Sequence, residues 1–485
     1  MPALMIQGCG SDVGKSVLTA GLCRVFTNRG LRVRPFKPQN MSNNAAVTSD
    51  GEEIGRAQAL QAIACRVPPN ALMNPVLLKP QSDMEAQIVV RGRVAGTWSA
   101  RSFQHRKGEL LPIAVECFRM LEDDSDLVVV EGAGSPAEIN LREGDIANMG
   151  FARATQTPVV LVGDIERGHV IAALVGAHAV LADADRNMIQ GFIINKFRGD
   201  PRLFDNGRLE ITRRTTWRDF GLVSWLPAAA RLPAEDAITM QARRERAQVR
   251  VAVPLLSRIA NFDEFDALRA EEAVDFAFVP PGQPLPGDAD LIILPGTKAT
   301  IADLGFLRAK GWDIDLAAHV RRGGRVLGVC GGYQMLGHRV ADPEGIEGPP
   351  GEARGLDLLD IDTVLVGNKV LKSASGRLVD GGAPFEGYEM HLGRTVGPGT
   401  ARPFLKFEDG QVDGAVSSDG RIAGAYVHGL FSRPEPRQAL LALFGARSNG
   451  LDQHSVVDSA LDEIAETLEQ SLDIVGLAHV AGIEP

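Results

Sequence analysis

Leu4-Met5-Ile6-Gln7-Gly8-Cys9-Gly10-Ser11-Asp12-Val13-Gly14-Lys15-Ser16 decides the fold. An apolar strand, Leu4–Gln7, runs into a glycine-rich loop, and a helix is expected over Lys15–Asn28. Glycines let the backbone curl so that its N–H groups point at phosphate oxygens. The helix N-terminus adds the positive end of its dipole. Lys15 is placed to reach the terminal phosphates of a nucleotide, and the Ser16 hydroxyl suits Mg²⁺. Gly8, Gly10, Ser11, Asp12, Gly14, Lys15 and Ser16 are therefore candidate ATP-binding residues. Five residues separate Gly8 from Gly14, one more than the standard spacing, and Cys9 stands at the strict first-glycine position. The alternative is a glycine-rich turn that binds nothing.

Outward from this loop, short apolar runs alternate with helical stretches. Strands are expected at Leu31–Phe36, Leu127–Val130, Val159–Val162 and Met188–Ile194, and helices at Glu52–Cys65, Phe103–Leu121 and His169–Ala182. Continuous Val/Ile/Leu strands separated by helices imply a parallel sheet covered on both faces, a doubly wound α/β domain. The run Val128-Val129-Val130-Glu131-Gly132-Ala133-Gly134 puts Glu131 at the C-terminal end of a strand, where open α/β sheets bind ligands. A carboxylate there suits Mg²⁺, although many strands end in an acid. Asn195 and Lys196, in Asn195-Lys196-Phe197-Arg198-Gly199-Asp200, follow another strand and are candidates for the nucleotide base. A solvated turn is the equal alternative.

Pro227–Gln248 is rich in Ala, Pro and charge and reads as an interdomain connection. A second α/β unit follows, with strands expected at Val249–Val253, Phe276–Val279, Leu291–Leu294 and Arg325–Val329. Helices fit Phe262–Ala270, Leu316–Arg322 and Tyr333–Leu336. Hairpin turns are expected at Asp380-Gly381-Gly382, Asp409-Gly410 and Asp419-Gly420. Asp458–Leu472 reads as an amphipathic surface helix. Within this unit Arg325-Val326-Leu327-Gly328-Val329-Cys330-Gly331-Gly332-Tyr333-Gln334 reads strand, sharp turn, helix. Such an elbow exposes a nucleophile, and flanking glycines relieve clashes. The following helix dipole favours the thiolate. The Gly331 N–H is a candidate oxyanion donor, and Gly296, in Leu294-Pro295-Gly296-Thr297, is the candidate second donor. A lone cysteine is more often a small buried hydrophobe. His428, ending an apolar strand and followed by Gly429, is the preferred base. His319, His338 and His391 are its rivals, with a ligand-shaping or structural role preferred for the segment around His391.

The chain has 485 residues, 45% hydrophobic and 23% charged, which suggests about two to four domains. A net charge of −10 disfavours nucleic acid as a partner. Five scattered cysteines without C-x-x-C spacing argue against disulfides or zinc and fit a reducing cytoplasm. No signal peptide is read, and the longest apolar stretch, Val170–Ala182, is too short to span a bilayer. It reads as a buried helix, and no membrane partner is expected.

Cys330 with His428 resembles the class I, or triad-type, glutamine amidotransferases. Many members carry His-x-Glu, whereas this chain reads His428-Gly429-Leu430, which is similar to the cobyrinate-amidase branch. The phosphate loop with its extra residue resembles dethiobiotin synthetase. The two in this order resemble the cobyrinic acid amidating enzymes, a likeness that extends over about residues 3–440. The strings Lys37-Pro38-Gln39-Asn40-Met41-Ser42-Asn43-Asn44, Glu131–Pro136, Ile194–Asp200, Arg258-Ile259-Ala260-Asn261-Phe262 and Gly387-Tyr388-Glu389 carry it. One family stretch, usually Asp-Ile-Asp-Arg-Gly-Gly, reads Asp164-Ile165-Glu166-Arg167-Gly168-His169 here.

The resemblance implies a synthetase domain over 1–230, a linker at 231–248, an amidotransferase domain over 249–445 and a helical tail at 446–485. It implies amidation of the b, d, e and g carboxylates of adenosylcobyrinic acid a,c-diamide, giving adenosylcobyric acid at the expense of glutamine and ATP with Mg²⁺. Small molecules (glutamine, ATP and a corrinoid acid) are then the partners. Gln39, Asn40 and Asn43 would help shape the metal or substrate site. Another amidoligase, such as one making the a,c-diamide, is the nearest rival. A partition-type ATPase would carry a lysine where Gly10 stands.

Overall fold

The computed structural model describes residues 2–234 and 243–483. The connection expected at 231–248 therefore falls partly outside the described residues.

The N-terminal sheet has the strand order Arg218–Ser224, Ile189–Phe197, Val159–Asp164, Ala3–Gly8, Leu127–Glu131, Val33–Phe36, and every pairing is parallel. Ala3–Gly8 lies in the middle, all six of its residues buried, with Glu131 opposite Ile6 in register. The order reverses on either side of this strand, so its C-terminal end opens into the crevice where such sheets hold ligands. Helix Lys15–Asn28 begins there, after Gly14 at φ 92°. A Cβ at Gly14 would also fall 2.3 Å from the Asn195 amide.

Several elements differ from expectation. Of the expected helix Glu52–Cys65, only Arg56–Ala64 is helical. Glu53–Gly55 is instead a strand paired with Ala45–Val47, because the buried Glu53 is drawn into ion pairs. The stretch Phe103–Leu121 is broken into Ala100–Arg106, a 3-10 turn Lys107–Leu110 and Leu111–Asp123, with Gly108 in the break and Pro112 in the first turn of the last helix. Helix Val170–Val180 buries only Val170, Leu174 and Ala177, so it is not enclosed all round; its composition is apolar on faces that meet no core. A four-stranded sheet, Gln39–Met41, Val76–Pro80, Glu85–Val90 and Arg93–Ser99, lies outside the alternating pattern. Its tight turn places Arg91 and Gly92 both at positive φ, the geometry of a two-residue hairpin.

The second sheet runs Val274–Val279, Val249–Pro254, Leu291–Leu294, Arg325–Val329, Ile422–Ala425, Ala415–Val416, parallel except for the last pair. A long hairpin, Asp362–Leu378 with Pro384–Val396, folds over it, and Val427–His428 pairs with the second arm. Gly381, Gly382, Gly410 and Gly420 all have positive φ, as the expected turns require.

The tail returns to the N-terminal half. Helix Gln453–Ser471 packs Val457, Ala460, Leu461, Ile464, Ala465 and Leu468 into the core beside helix Lys15–Asn28. Gly21 allows the close approach, since a Cβ there would meet Leu468 at 2.5 Å. The buried Arg24 pairs with Asp458 and Asp462 across this contact, at 2.5 and 3.1 Å.

Candidate active sites

Cys330 ends strand Arg325–Val329 and begins helix Gly331–Met335 with φ 50° and ψ −109°. A side chain held at positive φ is strained, and such strain persists where the surroundings over-determine it. Here the Cys330 N–H donates to Ala425 O at 2.9 Å, and Gly332 has no room for a Cβ, which would meet Leu294 O at 2.0 Å. His428, on the two-residue strand Val427–His428, lines the same cavity as Cys330, whose Sγ lies 3.5 Å from Met390 O.

On its other edge, His428 Nδ1 lies 3.0 Å from Glu264 Oε1. Glu264 Oε2 accepts the Gly429 N–H at 3.2 Å, which holds the carboxylate beside the ring. Burial alone would push the His428 pKa down; Glu264 and Cys330 outweigh it and raise the pKa to about 10. Tyr388 stacks on the ring, with centroids 5.3 Å apart and planes at 19°. The arrangement is a thiol, an imidazole and a carboxylate in line.

Glu264 was not singled out in the sequence. It lies 164 residues before His428, within the 3-10 turn Phe262–Phe265. The signal was present in the string Arg258–Phe262, which ends two residues earlier. Asn261 adopts φ 55°, a left-handed conformation that Asn tolerates better than other side-chain-bearing residues, and its Oδ1 accepts the Ala45 N–H at 3.0 Å. This turn aims Glu264 at the histidine.

His391, the main rival base, lines the same cavity as Cys330. Its ring is stacked 3.7 Å from Tyr426, Nδ1 contacts Gly393 O at 3.0 Å, and Nε2 faces Glu389 at 3.5 Å. His319 is tied to Arg325 O, and His338 is exposed between Asp357 and Asp360. Gly331 lines the cavity; Gly296 abuts the His428 ring, and its neighbour Thr297 lines the cavity wall. Two further residues missed in the sequence lie in this wall. Lys298 is 6% exposed and lines the cavity. Burial pushes its pKa down. Glu347 accepts the Thr300 N–H at 2.8 Å.

At the phosphate loop, Lys15 Nζ donates to Gly10 O at 2.9 Å and Gly134 O at 3.2 Å, so it lies back across the loop. Burial lowers its pKa, against the pull of Glu131. The Ser16 hydroxyl donates to Glu131 Oε1 at 2.7 Å, Lys37 pairs with the same oxygen at 2.9 Å, and Gln61 donates to Oε2 at 2.5 Å. Burial would raise the Glu131 pKa; Lys37 and these donors outweigh it and hold the carboxyl below its ordinary value. Asn195 Nδ2 donates to Val13 O at 2.9 Å, and Lys196 reaches Asp12 O and Asp164. Both side chains therefore brace the loop from strand Ile189–Phe197, the next but one to Ala3–Gly8.

Gln39 lines a cleft of about 430 Å³ together with Ser135, Asn148, Trp98 and Lys107. Asn40 is buried against Gln58, and Asn43 leaves a buried oxygen unsatisfied.

Among the described residues no group of three or more His, Cys, Asp or Glu is placed to hold a metal ion. A Mg²⁺ carried on nucleotide phosphates needs only one or two protein oxygens. The hard oxygens of Ser16 and Glu131, 2.7 Å apart beside the loop, fit that requirement. No helix among the described residues is long and apolar enough to cross a membrane.

The two sites are joined by buried charge. Arg56, from the N-terminal half, pairs with Asp263 at 2.9 Å and donates to the Tyr388 hydroxyl at 3.0 Å. Those are the residue beside Glu264 and the ring under His428. Glu53 takes both Lys79 and Lys369, two lysines that line the Cys330 cavity.

The family model for the CobQ/CobB/MinD/ParA nucleotide binding domain matches residues 4–239, and that for the CobB/CobQ-like glutamine amidotransferase domain matches residues 250–436. Cobyric acid synthase of a Caulobacter species is 67% identical, with all of both chains covered. The cobyric acid synthase of Rhizorhabdus wittichii is 60% identical over 99% of both chains. That of Novosphingobium aromaticivorans is 59% identical over 99% of this chain and 98% of its own.

Proposed function

The chain belongs to the cobyric acid synthase family of ATP-dependent, glutamine-using ligases of cobalamin biosynthesis, and on that premise we propose how its residues divide the reaction. Cys330 is the nucleophile, His428 its proton shuttle and Glu264 the acid that orients His428. The thiolate attacks the glutamine carboxamide, His428 delivers a proton to the departing ammonia, and water releases glutamate from the thioester. Gly331 and Gly296 are the oxyanion donors. Lys298 takes the α-carboxylate of glutamine and Glu347 its α-ammonium, since the two opposite charges line the thiol cavity.

In the other half ATP sits on Gly8, Gly10, Ser11, Asp12, Gly14, Lys15 and Ser16, with Asn195 and Lys196 holding the loop in shape. Lys15 offsets charge as the γ-phosphoryl moves to a substrate carboxylate. Ser16 and Glu131 would hold Mg²⁺, which when bound screens the phosphate oxygens. Ammonia then displaces phosphate from the acyl phosphate, leaving the amide, ADP and phosphate. The acid is adenosylcobyrinic acid a,c-diamide, amidated at b, d, e and g. The cleft beside Gln39 is also lined by Ala133 and Ser135, just beyond strand Leu127–Glu131, which supports a substrate role for Gln39, with Asn40 and Asn43 shaping the site from the adjoining segment.

The matches over 4–239 and 250–436 support a synthetase half at 1–230, a connection at 231–248 and a glutaminase half at 249–445. The tail, 446–485, completes the first core. The scattered, unpaired cysteines support a cytoplasmic location.

The observation that carries this reading is Cys330 and His428 lining one cavity, with Glu264 3.0 Å from His428 Nδ1. Its test is Cys330→Ala, followed by mass spectrometry of the corrinoid. Amidation from glutamine should stop while amidation from ammonium salts continues. Loss of both in a folded protein would refute the division of labour.

A further inference from the structure

Met41 and Met84 are 54% and 68% exposed, and both line the cleft beside Gln39. Met41 ends strand Gln39–Met41, and Met84 lies in the turn between strands Val76–Pro80 and Glu85–Val90. The same cleft is lined by Leu78 and Ile146, which belong to a small apolar core, and by Trp98 and Phe103, half-buried against that core. The two rings are 6.3 Å apart with planes at 42°, and the Arg106 guanidinium lies 4.2 Å from the indole centroid. Exposed apolar side chains scattered singly are ordinary; grouped on a cleft they mark a binding surface.

The polar side chains of this wall are engaged within the protein. Lys107 Nζ donates to Leu141 O at 3.2 Å, Ser135 Oγ accepts the Ala137 N–H at 3.2 Å, and Asn148 Oδ1 accepts the Ala133 N–H at 3.1 Å. Directional contacts that would hold a ligand in one pose are thus already used inside the wall.

The reaction calls for more than one pose. Four carboxylates set round one macrocycle meet one phosphate loop, so the ring is presented to it in four orientations. At about 430 Å³ the cleft takes an edge of a corrinoid and not the whole of it. It reaches Ala133 and Ser135, two and four residues after Glu131, so a ring seated there has its rim towards the synthetase site. Methionine is unbranched and carries a polarizable sulfur, and it repacks against surfaces of differing shape.

We propose that Met41 and Met84, with Trp98 and Phe103, form one adaptable apolar seat that holds the corrinoid in each of its four reactive orientations. The methionines recognise the ring and not any one of its side chains. The proposal rests on the reading of the cleft beside Gln39 as the corrinoid site.

Its test assays the full-length enzyme with the diamide and with each partially amidated intermediate isolated from a stopped reaction, reading products by mass. Covering the exposed part of a methionine changes affinity about tenfold. Met41→Ala and Met84→Ala should therefore each raise the KM for the corrinoid about tenfold, by a similar factor at all four steps. The kcat should hold, as when binding is lost equally from ground and transition states. Met84→Gln, similar in length but polar, should show the same rise. Met84→Leu keeps the apolar bulk but branches the side chain, and should recover the KM at some steps and not at others. Both positions are exposed in the free enzyme, so an unmoved melting midpoint serves as the check on folding.

An unchanged KM in both alanine variants would overturn the seat. So would a rise confined to one amidation, which marks contact with a single peripheral group. Full recovery at every step in Met84→Leu would overturn its adaptability, since a rigid apolar wall would then suffice. Failure of the underlying reading shows separately in the wild-type enzyme: backbone hydrogen exchange over 81–104 left unprotected by the diamide would put the corrinoid outside this cleft.

Discussion

Replacing Glu264 by Gln tests the least sequence-evident part of the thiol site. The substitution keeps size and leaves one oxygen for the Gly429 N–H, but removes the charge 3.0 Å from His428 Nδ1. A hydrogen bond to a charged group contributes about 1.5–3 kcal/mol, so glutamine-dependent kcat/KM should fall about ten- to a hundredfold. The same energy, at about 1.4 kcal/mol per pH unit, corresponds to about one to two units of pKa. His428 is raised to about 10, so its protonated form, which pairs with the thiolate and protonates ammonia, is lost as pH rises through that value. The alkaline limb of glutaminase activity should therefore stand near 10 in the wild type. In the variant it should move down by about one to two units.

The linkage to stability has the same sign. A histidine whose pKa rises on folding from 6.5 to about 10 contributes stability fully below 6.5, and that contribution disappears as pH rises through about 10. The variant should thus lose most stability at neutral pH and little at high pH. The assay is glutamate release across pH, with ammonium-fed amidation as the control for folding. An unmoved alkaline limb together with an unchanged kcat/KM would refute the role of Glu264.

Lys298→Met should raise the KM for glutamine about ten- to a hundredfold by removing a charged partner of its carboxylate, with ammonium-fed amidation unchanged; steady-state kinetics with both nitrogen sources checks it. Leu468→Ala should cost about 2–5 kcal/mol, because the side chain is fully buried against helix Lys15–Asn28, and should lower the melting midpoint of the N-terminal half by on the order of 10 °C in calorimetry. Chelating Mg²⁺ should stop amidation from either nitrogen source while basal glutamate release at Cys330 persists, as parallel assays of corrinoid mass and glutamate would show.

Both nucleating motifs are local, and both were legible in the chain. The loop Gly8–Ser16 and the elbow Arg325–Gln334 each need glycines at fixed offsets between a strand and a helix. Backbone curvature over a few residues depends mostly on those residues. The parallel sheets were legible for a related reason, since strands covered on both faces must be apolar throughout. Cys330 could be picked because it follows such a strand, and His428 because it ends a short apolar strand before a glycine. Helix limits were less legible where burial overrode local pattern: Glu53 left its expected helix for two lysines distant in sequence. The insertion sheet over residues 39–99 was also missed, its tightest turn being built on Arg91-Gly92 without the usual Asn or Asp.

The chain by itself thus determined the two chemistries and their order, because each is written in contiguous residues whose backbone geometry is local. Only the tertiary structure decided what connects and completes them. Glu264 reaches His428 across 164 residues, the tail joins the first core across more than 400, and Arg56 reaches Asp263 and Tyr388 from the other half. Such partners satisfy buried charges and amides, and that demand is set by which groups folding removes from water together, not by their spacing along the chain.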